Sequence, residues 1–324
     1  MASTLPPVSL IHIGLPKTAT TYLQTLWADD PKVCLLVNEL AALVAIARAK
    51  GKERTMPTRI FSAPPVSLDT PPQAGQKVLI SHEALSNAYL NERADAQQIR
   101  SFREYAAAQM KSLVPKSKVL MVVREPSEWI LSIYNQAVKQ GATDSFRQFL
   151  HREHAYLVQS LDIREIYLCW KQQYGSDNVL ILPLELLREK PGAFFSEIQR
   201  FSGIAPPLDL DSQDTINPPL KEGRLDIMRA FNRWIDRLTR HGHHQGRLPP
   251  ELAQALETVH FEARRALEKP APAMERHLHV LEKQLSIQHL QRDMIPNELL
   301  KGIRSRNAKQ FKKDPFFGYR DLYV

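Results

Sequence analysis

The sequence predicts an α/β protein, a parallel β-sheet flanked by helices and followed by a helical C-terminal part. Three observations predict it. Short apolar runs bounded by Pro, Gly or polar residues have the length of strands. Longer helical segments separate them, the alternation of a parallel sheet covered on both faces. Beyond about residue 190 the strand-like runs stop and helical periodicity continues alone.

Val8 to Gly14 (VSLIHIG) reads as the first strand, too short and too closely flanked by Pro and Gly for a helix. The chain then runs through LPKTATTYLQTLWADD, a loop that becomes helix. Leu23, Leu26 and Trp27 recur at helical spacing, and Asp29-Asp30-Pro31 ends the segment. Asn38 to Lys50 is Ala- and Leu-rich and predicts a helix. Gly51 to Gln76, rich in Pro, Ser and Thr, predicts a long loop near a site. Lys77 to Ser81, Lys118 to Val123 and Asn178 to Leu182 are the further strands, Lys118 to Val123 the clearest buried one. Helices are predicted over Ala94 to Leu113 and Ser127 to Gln140. Four more cover Ala193 to Phe201, Gly223 to Arg240, Glu251 to Leu267 and Asn297 to Lys309. No repeat of fixed period occurs. Residues 1–324 read as one domain, with a core over about 8–204 and a helical extension over about 220–324. Asn217-Pro218-Pro219 marks the join.

With 324 residues, 43% hydrophobic and 24% charged, the chain has globular composition and can bury a core without metal or disulfide help. Its two cysteines, Cys34 and Cys169, are far apart and outside any CxxC or His/Cys cluster, so they read as reduced buried thiols and no metal is expected. The net charge of +8 suits an anionic ligand. No nucleic-acid-binding signature is present. The N-terminus lacks the pattern of a secretory signal, and no run approaches the roughly 20 apolar residues of a membrane helix. A cytoplasmic protein with no integral membrane segment is expected.

The segment Gly14-Leu15-Pro16-Lys17-Thr18-Ala19-Thr20-Thr21 lies between a strand and a helix. A helix start leaves backbone N–H groups pointing at any anion placed there. Lys17 adds a positive charge, and Thr18, Thr20 and Thr21 add hydroxyl donors. The spacing differs from the triphosphate loop G-x-x-x-x-G-K-[ST]. A second constellation follows the strand Lys118 to Val123: Arg124-Glu125-Pro126, then Ser132 and Tyr134. Ligands gather at the C-terminal ends of strands in such sheets. An arginine fork beside a hydroxyl suits a phosphate monoester. Ile130, Ile133, Tyr134 and Ala137 form an apolar stripe, which places Ser132 on the polar side with Glu128 and Asn135.

Together these motifs resemble those of the sulfotransferases that use 3′-phosphoadenosine 5′-phosphosulfate (PAPS), in particular bacterial, glycan-type members. The first is similar to the PKTGTT-type loop that holds the 5′-phosphosulfate, with Ala19 where many members have glycine. The R-[ED]-P…S-x-Y pattern is similar to the element that recognises the donor's 3′-phosphate. A weaker echo runs from Val179 through Glu185 to Gly203, so the resemblance spans about residues 8 to 204.

The resemblance implies a P-loop NTPase-like (sulfotransferase) fold and sulfuryl transfer from PAPS, leaving 3′,5′-adenosine bisphosphate (PAP), with no metal. It implies donor contacts from Pro16, Lys17, Thr18, Ala19, Thr20, Thr21, Arg124 and Ser132, with Lys17 at the leaving oxygen. Glu83, or His82 beside it, follows the strand Lys77 to Ser81 where the family places its base. Glu83 is favoured by likeness to the glycan-type arrangement, and this points to a saccharide or glycan hydroxyl as acceptor. Two other classes stay open: a nucleotide-kinase-like phosphotransferase, which needs the longer loop and a magnesium-holding acid, and a non-catalytic nucleotide-binding protein on the same fold. Other candidates are weaker. His241-Gly242-His243-His244 reads as an exposed loop. Lys221, Gly223 and Arg224 match a donor-closing segment only loosely. Phe316, Phe317 and Tyr319 suit either stacking on a base or docking the C-terminal tail, and docking is the favoured reading.

Overall fold

The computed structural model describes residues 7–37, 40–53, 72–87, 94–207, 222–244, 250–284, 292–309, 311 and 315–324. Much of the loop expected over 51–76, the join at 217–219 and Lys221 lie outside the described residues.

Five parallel strands make one sheet: β1 (Val8–His12), β2 (Val33–Leu36), β3 (Lys77–Ser81), β4 (Lys118–Val123) and β5 (Val179–Pro183), in the order β2-β3-β1-β4-β5. Four of these were read from the sequence. β2 was not, because VCLL is only four residues long and begins two residues after Pro31. The helices are α1 (Thr20–Ala28), α2 (Ala41–Glu53), α3 (Ala96–Leu113), α4 (Pro126–Lys139), α5 (Phe146–Arg152), α6 (His154–Ser160) and α7 (Ile163–Tyr174). They continue with α8 (Leu184–Glu189), α9 (Pro191–Ser202), α10 (Glu222–His244), α11 (Pro250–Glu268), α12 (Pro272–Gln284), α13 (Asn297–Ala308) and α14 (Arg320–Tyr323). The backbone of His241 to His244 is helical, the last turn of α10, rather than the loop expected there. Gly242 lacks a side chain but keeps its N–H, so it does not force a break.

The described residues form two compact units. The first comprises Met1–Pro126, Ala155–Ile216 and Asn297–Val324; the second comprises Ser127–His154 and Asn217–Pro296. The sheet belongs to the first, and both its faces are covered. Leu10, Leu79, Leu120, Val122 and Leu182 share a core with Leu23 and Trp27 of α1 and Phe194, Phe195 and Ile198 of α9. Alternate residues Ile11, Ile80, Val119, Met121 and Val123 are also buried, together with Ile99, Phe102 and Met110 of α3. Burial on both faces is why these strands read as continuous apolar runs.

The second unit is helical. Asn232 of α10 is buried and donates to Val138 O at 2.8 Å and Ala142 O at 3.0 Å, while its oxygen meets His260 Nε2 at 2.8 Å. Arg264 donates to Lys139 O at 3.3 Å. These side chains bond carbonyls of the last turn of α4, Val138 and Lys139, and of Ala142 just beyond it. Arg224 is buried and paired with Glu275 within this unit. Among the described residues no helix is long and apolar enough to cross a membrane, and no three His, Cys, Asp or Glu side chains converge as metal ligands. Neither cysteine is in a disulfide; Cys169 is buried, and burial first pushes its thiol up to about 12, but Cys34 is only half-buried.

Candidate active site

β3, β1 and β4 are successive neighbours in the sheet, and their C-terminal ends carry the candidate residues. His82 and Glu83 follow β3, the loop 13–19 follows β1, and Arg124 follows β4. At about 4.8 Å between strands, all three segments start within roughly 10 Å of each other.

The loop is built on an extension of the sheet ladder. Ile13 N donates to Leu120 O at 2.9 Å and Leu15 N to Val122 O at 3.0 Å. Gly14 is required by space: a Cβ there would meet His12 Nε2 at 2.8 Å, Thr18 Oγ1 at 2.9 Å and Val122 Cβ at 3.4 Å. Thr18 is fully buried and its hydroxyl donates to Leu15 O at 2.5 Å, drawing the loop closed. Lys17 (φ 66°) and Ala19 (φ 61°) both adopt the left-handed region, which costs an L-residue roughly 1–2 kcal/mol. A chain that alternates into that region turns successive N–H groups to one side, the geometry of an anion nest. Ala19 is also the N-cap of α1 and supplies no side-chain cap, and no acidic residue occupies the first turn. The helix therefore presents its N-terminal N–H groups and positive dipole end at the mouth of the loop. These features fit the phosphosulfate end of a donor such as PAPS.

Arg124 is tied to the loop, since its Nη1 donates to Lys17 O at 3.2 Å. Its own turn is held from behind. Glu125 N donates to Glu185 Oε1 at 3.0 Å, and Tyr323 of α14 donates to the other oxygen of Glu185. Arg304 of α13 lies 3.5 Å from the Glu125 carboxylate. Phe316 is fully buried and stacks on Tyr323, with ring centroids 4.6 Å apart. Phe316 thus docks the tail, as read from the sequence, and Tyr319 bonds Glu189 at 2.5 Å. Phe317 is instead exposed. Ser132 lies on α4 among the second unit's residues and is half-buried. The polar face read beside it is not uniformly solvated, because Asn135 is buried.

Glu83 begins a single 3-10 turn, Glu83–Leu85, directly after His82. Burial pushes the Glu83 carboxyl above its ordinary value; the Lys17 charge and the Thr20 hydroxyl partly oppose that rise. Lys17 of the loop and Thr20, the first residue of α1, thus both act on the Glu83 carboxylate, so the segment after β1 and the acid after β3 face one space. Burial holds the neighbouring His82 imidazole below its ordinary value, toward the neutral form. Thr21 is exposed at the first turn of α1, whereas Thr18 and Thr20 are buried. Ser86 Oγ lies 3.0 Å from Gly14 O and 2.9 Å from Glu83 O, a further tie between the two segments.

Sequence reasoning passed over His12, Gln24, Ser81 and Ser86, and took Glu185 for a mark of fold alone. Their bonds span 57 to 138 residues, apart from local ones, so no nearby pattern announces them. The polar residues inside otherwise apolar strands, His12 in VSLIH and Ser81 in KVLIS, were the available signal.

The chain has an α/β fold with a strand–loop–helix unit opening from its central strand. The sulfotransferase domain family matches residues 7–247, and the chain belongs to that family. A solved structure, a sulfotransferase from Alicyclobacillus acidocaldarius, is similar at 17% identity with a TM-score of 0.47, covering 74% of this chain and 97% of that one. No curated protein matches.

Proposed function

We propose that this sulfotransferase takes its sulfuryl group from PAPS and passes it to a hydroxyl or amine of a saccharide or glycan. The observation that carries the reading is the shared space between Lys17, Thr20 and Glu83, an amine and an acid on neighbouring strand ends. Pro16 to Thr21 would hold the 5′-phosphosulfate by backbone N–H groups and hydroxyls, and Arg124 would hold the 3′-phosphate. Lys17 would neutralise the leaving phosphate oxygen as the old sulfur–oxygen bond breaks. Glu83 would take the acceptor's proton as the new bond forms. A carboxyl raised toward neutrality is a better base than an ordinary one, provided it remains ionised at working pH. His82 is the other proton acceptor within this segment. The glycan assignment rests on an acid, rather than an imidazole, facing Lys17.

Calorimetry with PAP in magnesium-free buffer tests the donor assignment, and radiolabelled PAPS with a panel of saccharides tests the acceptor. Micromolar PAP binding that is lost in Arg124→Ala supports the reading. Binding of ATP only with magnesium, and none of PAP, overturns it.

A further inference from the structure

Three polar side chains outside the donor loop, two of them fully buried and Gln24 half-buried, join the two segments. His12, the last residue of β1, and Ser81, the last residue of β3, are register partners in the sheet. Both are fully buried, and His12 Nδ1 lies 2.8 Å from Ser81 Oγ. Gln24, on the second turn of α1, reaches the same residue: its amide donates to Ser81 Oγ and to Ser81 O, each at 3.1 Å. The His12 backbone carbonyl also accepts from His82 N at 3.0 Å. Ser81 is thus gripped from the residue before the loop and from the helix after it, two positions ahead of Glu83.

We infer that Ser81 is a positioning residue, and that the clamp His12–Ser81–Gln24 fixes where the Glu83 carboxyl stands relative to the Lys17 amine. This rests on the reading of Lys17 and Glu83 given above. A buried hydroxyl held by two partners costs its whole network if removed, because each partner is left without its bond in a dry interior. Since Gln24 donates to the hydroxyl, the Ser81 hydrogen is available to His12 Nδ1. The bond persists in either tautomer of the imidazole, with Nδ1 accepting from the hydroxyl or donating to it. The imidazole is set edge-on against Trp27, with ring centroids 5.3 Å apart at 75°, so it cannot swing away. Burial holds it neutral, with its pKa lowered to about 3, so the clamp does not switch across the physiological range.

The arrangement separates geometry from affinity. The proposed donor contacts lie on the loop and at Arg124, whereas the clamp sets the loop against the acid. Loosening it therefore lowers kcat more than it raises the donor KM. Ser81→Cys keeps the volume but not a strong hydrogen bond, Ser81→Thr keeps the hydroxyl, and Gln24→Ala cuts one arm at a half-buried helical site where alanine is well tolerated.

Expected results are a kcat at least tenfold lower in Ser81→Cys and Gln24→Ala, PAP affinity within about threefold of wild type, and recovery of most activity in Ser81→Thr. A second readout needs no acceptor. The Glu83 carboxyl is followed by ¹³C NMR in selectively labelled protein. Its titration midpoint should fall toward the ordinary carboxylate value in both clamp variants, as Glu83 becomes wetter. Unchanged midpoints, or equal loss of kcat and PAP affinity, overturn the inference. Failure of the wild type to bind PAP would instead sink the donor assignment and leave the midpoint result standing as the test of the clamp.

Discussion

At Glu83 two opposing influences on one proton are resolved in favour of burial, which raises the carboxyl against the pull of Lys17 and Thr20. The sign fixes how stability depends on pH. A carboxyl raised in the folded state favours folding where it is protonated, below its unfolded value near 4.5, and that contribution is lost as pH rises through the folded value. At pH 7 the buried Glu83 carboxyl is thus a liability to the fold. Glu83→Gln should raise Tm at pH 7, lose that advantage below pH 4, and depress turnover by two or more orders of magnitude, on the order expected for a general base. A thermal scan at both pH values beside a turnover assay checks it, and retained activity would transfer the role to His82. Lys17→Ala should abolish turnover while PAP still binds through Arg124, because a charge opposite the leaving oxygen matters most in the transition state. Calorimetry on that variant decides, since wild-type turnover would remove Lys17 from the chemistry. Gly14→Ala must push its methyl against His12 and Thr18. Its PAP affinity should fall at least tenfold, measured by the same titration.

Among the elements, the strand–loop–helix from β1 to α1 was legible because its strain and its chemistry coincide in a short string. Lys17 and Ala19 in left-handed conformations explain why glycine suits the second of these positions, and why alanine, the least encumbered alternative, stands there. The turn after β4 was legible only in part. Arg124 stood out as a charge at a strand end, but what orients it comes from Glu185, 60 residues later, and from Tyr323 near the end of the sequence. A Glu-x-Leu string carries no sign that its carboxylate will accept a distant backbone N–H. The helices α5 to α7 likewise went unread between β4 and β5, since they are short and their partners are remote. One of those partners is Arg103 of α3, which is fully buried and bonds Ser86 O, Gln159 O and Glu165. Glu185→Ala should therefore act at a distance. Removing the acceptor of a buried N–H and a buried hydroxyl costs about 1–3 kcal/mol for each group left unsatisfied. The expected outcome is a lower urea midpoint together with several-fold weaker PAP binding. Tyr323→Phe should be milder, because it deletes the hydroxyl along with its need for a partner.

Over the whole molecule, the sequence divided the chain at about residue 220, while the structure groups Ser127–His154 with the later helices. The reason is tertiary: Asn232 and Arg264 close the end of α4 through carbonyls roughly a hundred residues away. Acid stability is another property of the whole chain that follows from one buried side chain. His12 has its pKa lowered by burial to about 3, against 6.5 for an ordinary imidazole. Between those values the unfolded chain binds a proton that the folded chain refuses. Stability therefore falls as the pH drops through this window, with a slope of up to about 1.4 kcal/mol per pH unit. Glu83 works in the opposite direction, and the positive net charge of +8 grows as carboxylates protonate, adding self-repulsion. His12→Gln separates these contributions. It should be less stable than wild type at pH 7, where the clamp is weakened, yet lose stability more slowly between pH 6.5 and 4. Urea titrations at half-unit pH intervals give both slopes. If the two proteins lose stability at the same rate, the acid sensitivity does not originate at His12, and the imidazole is more accessible to protons than its burial implies.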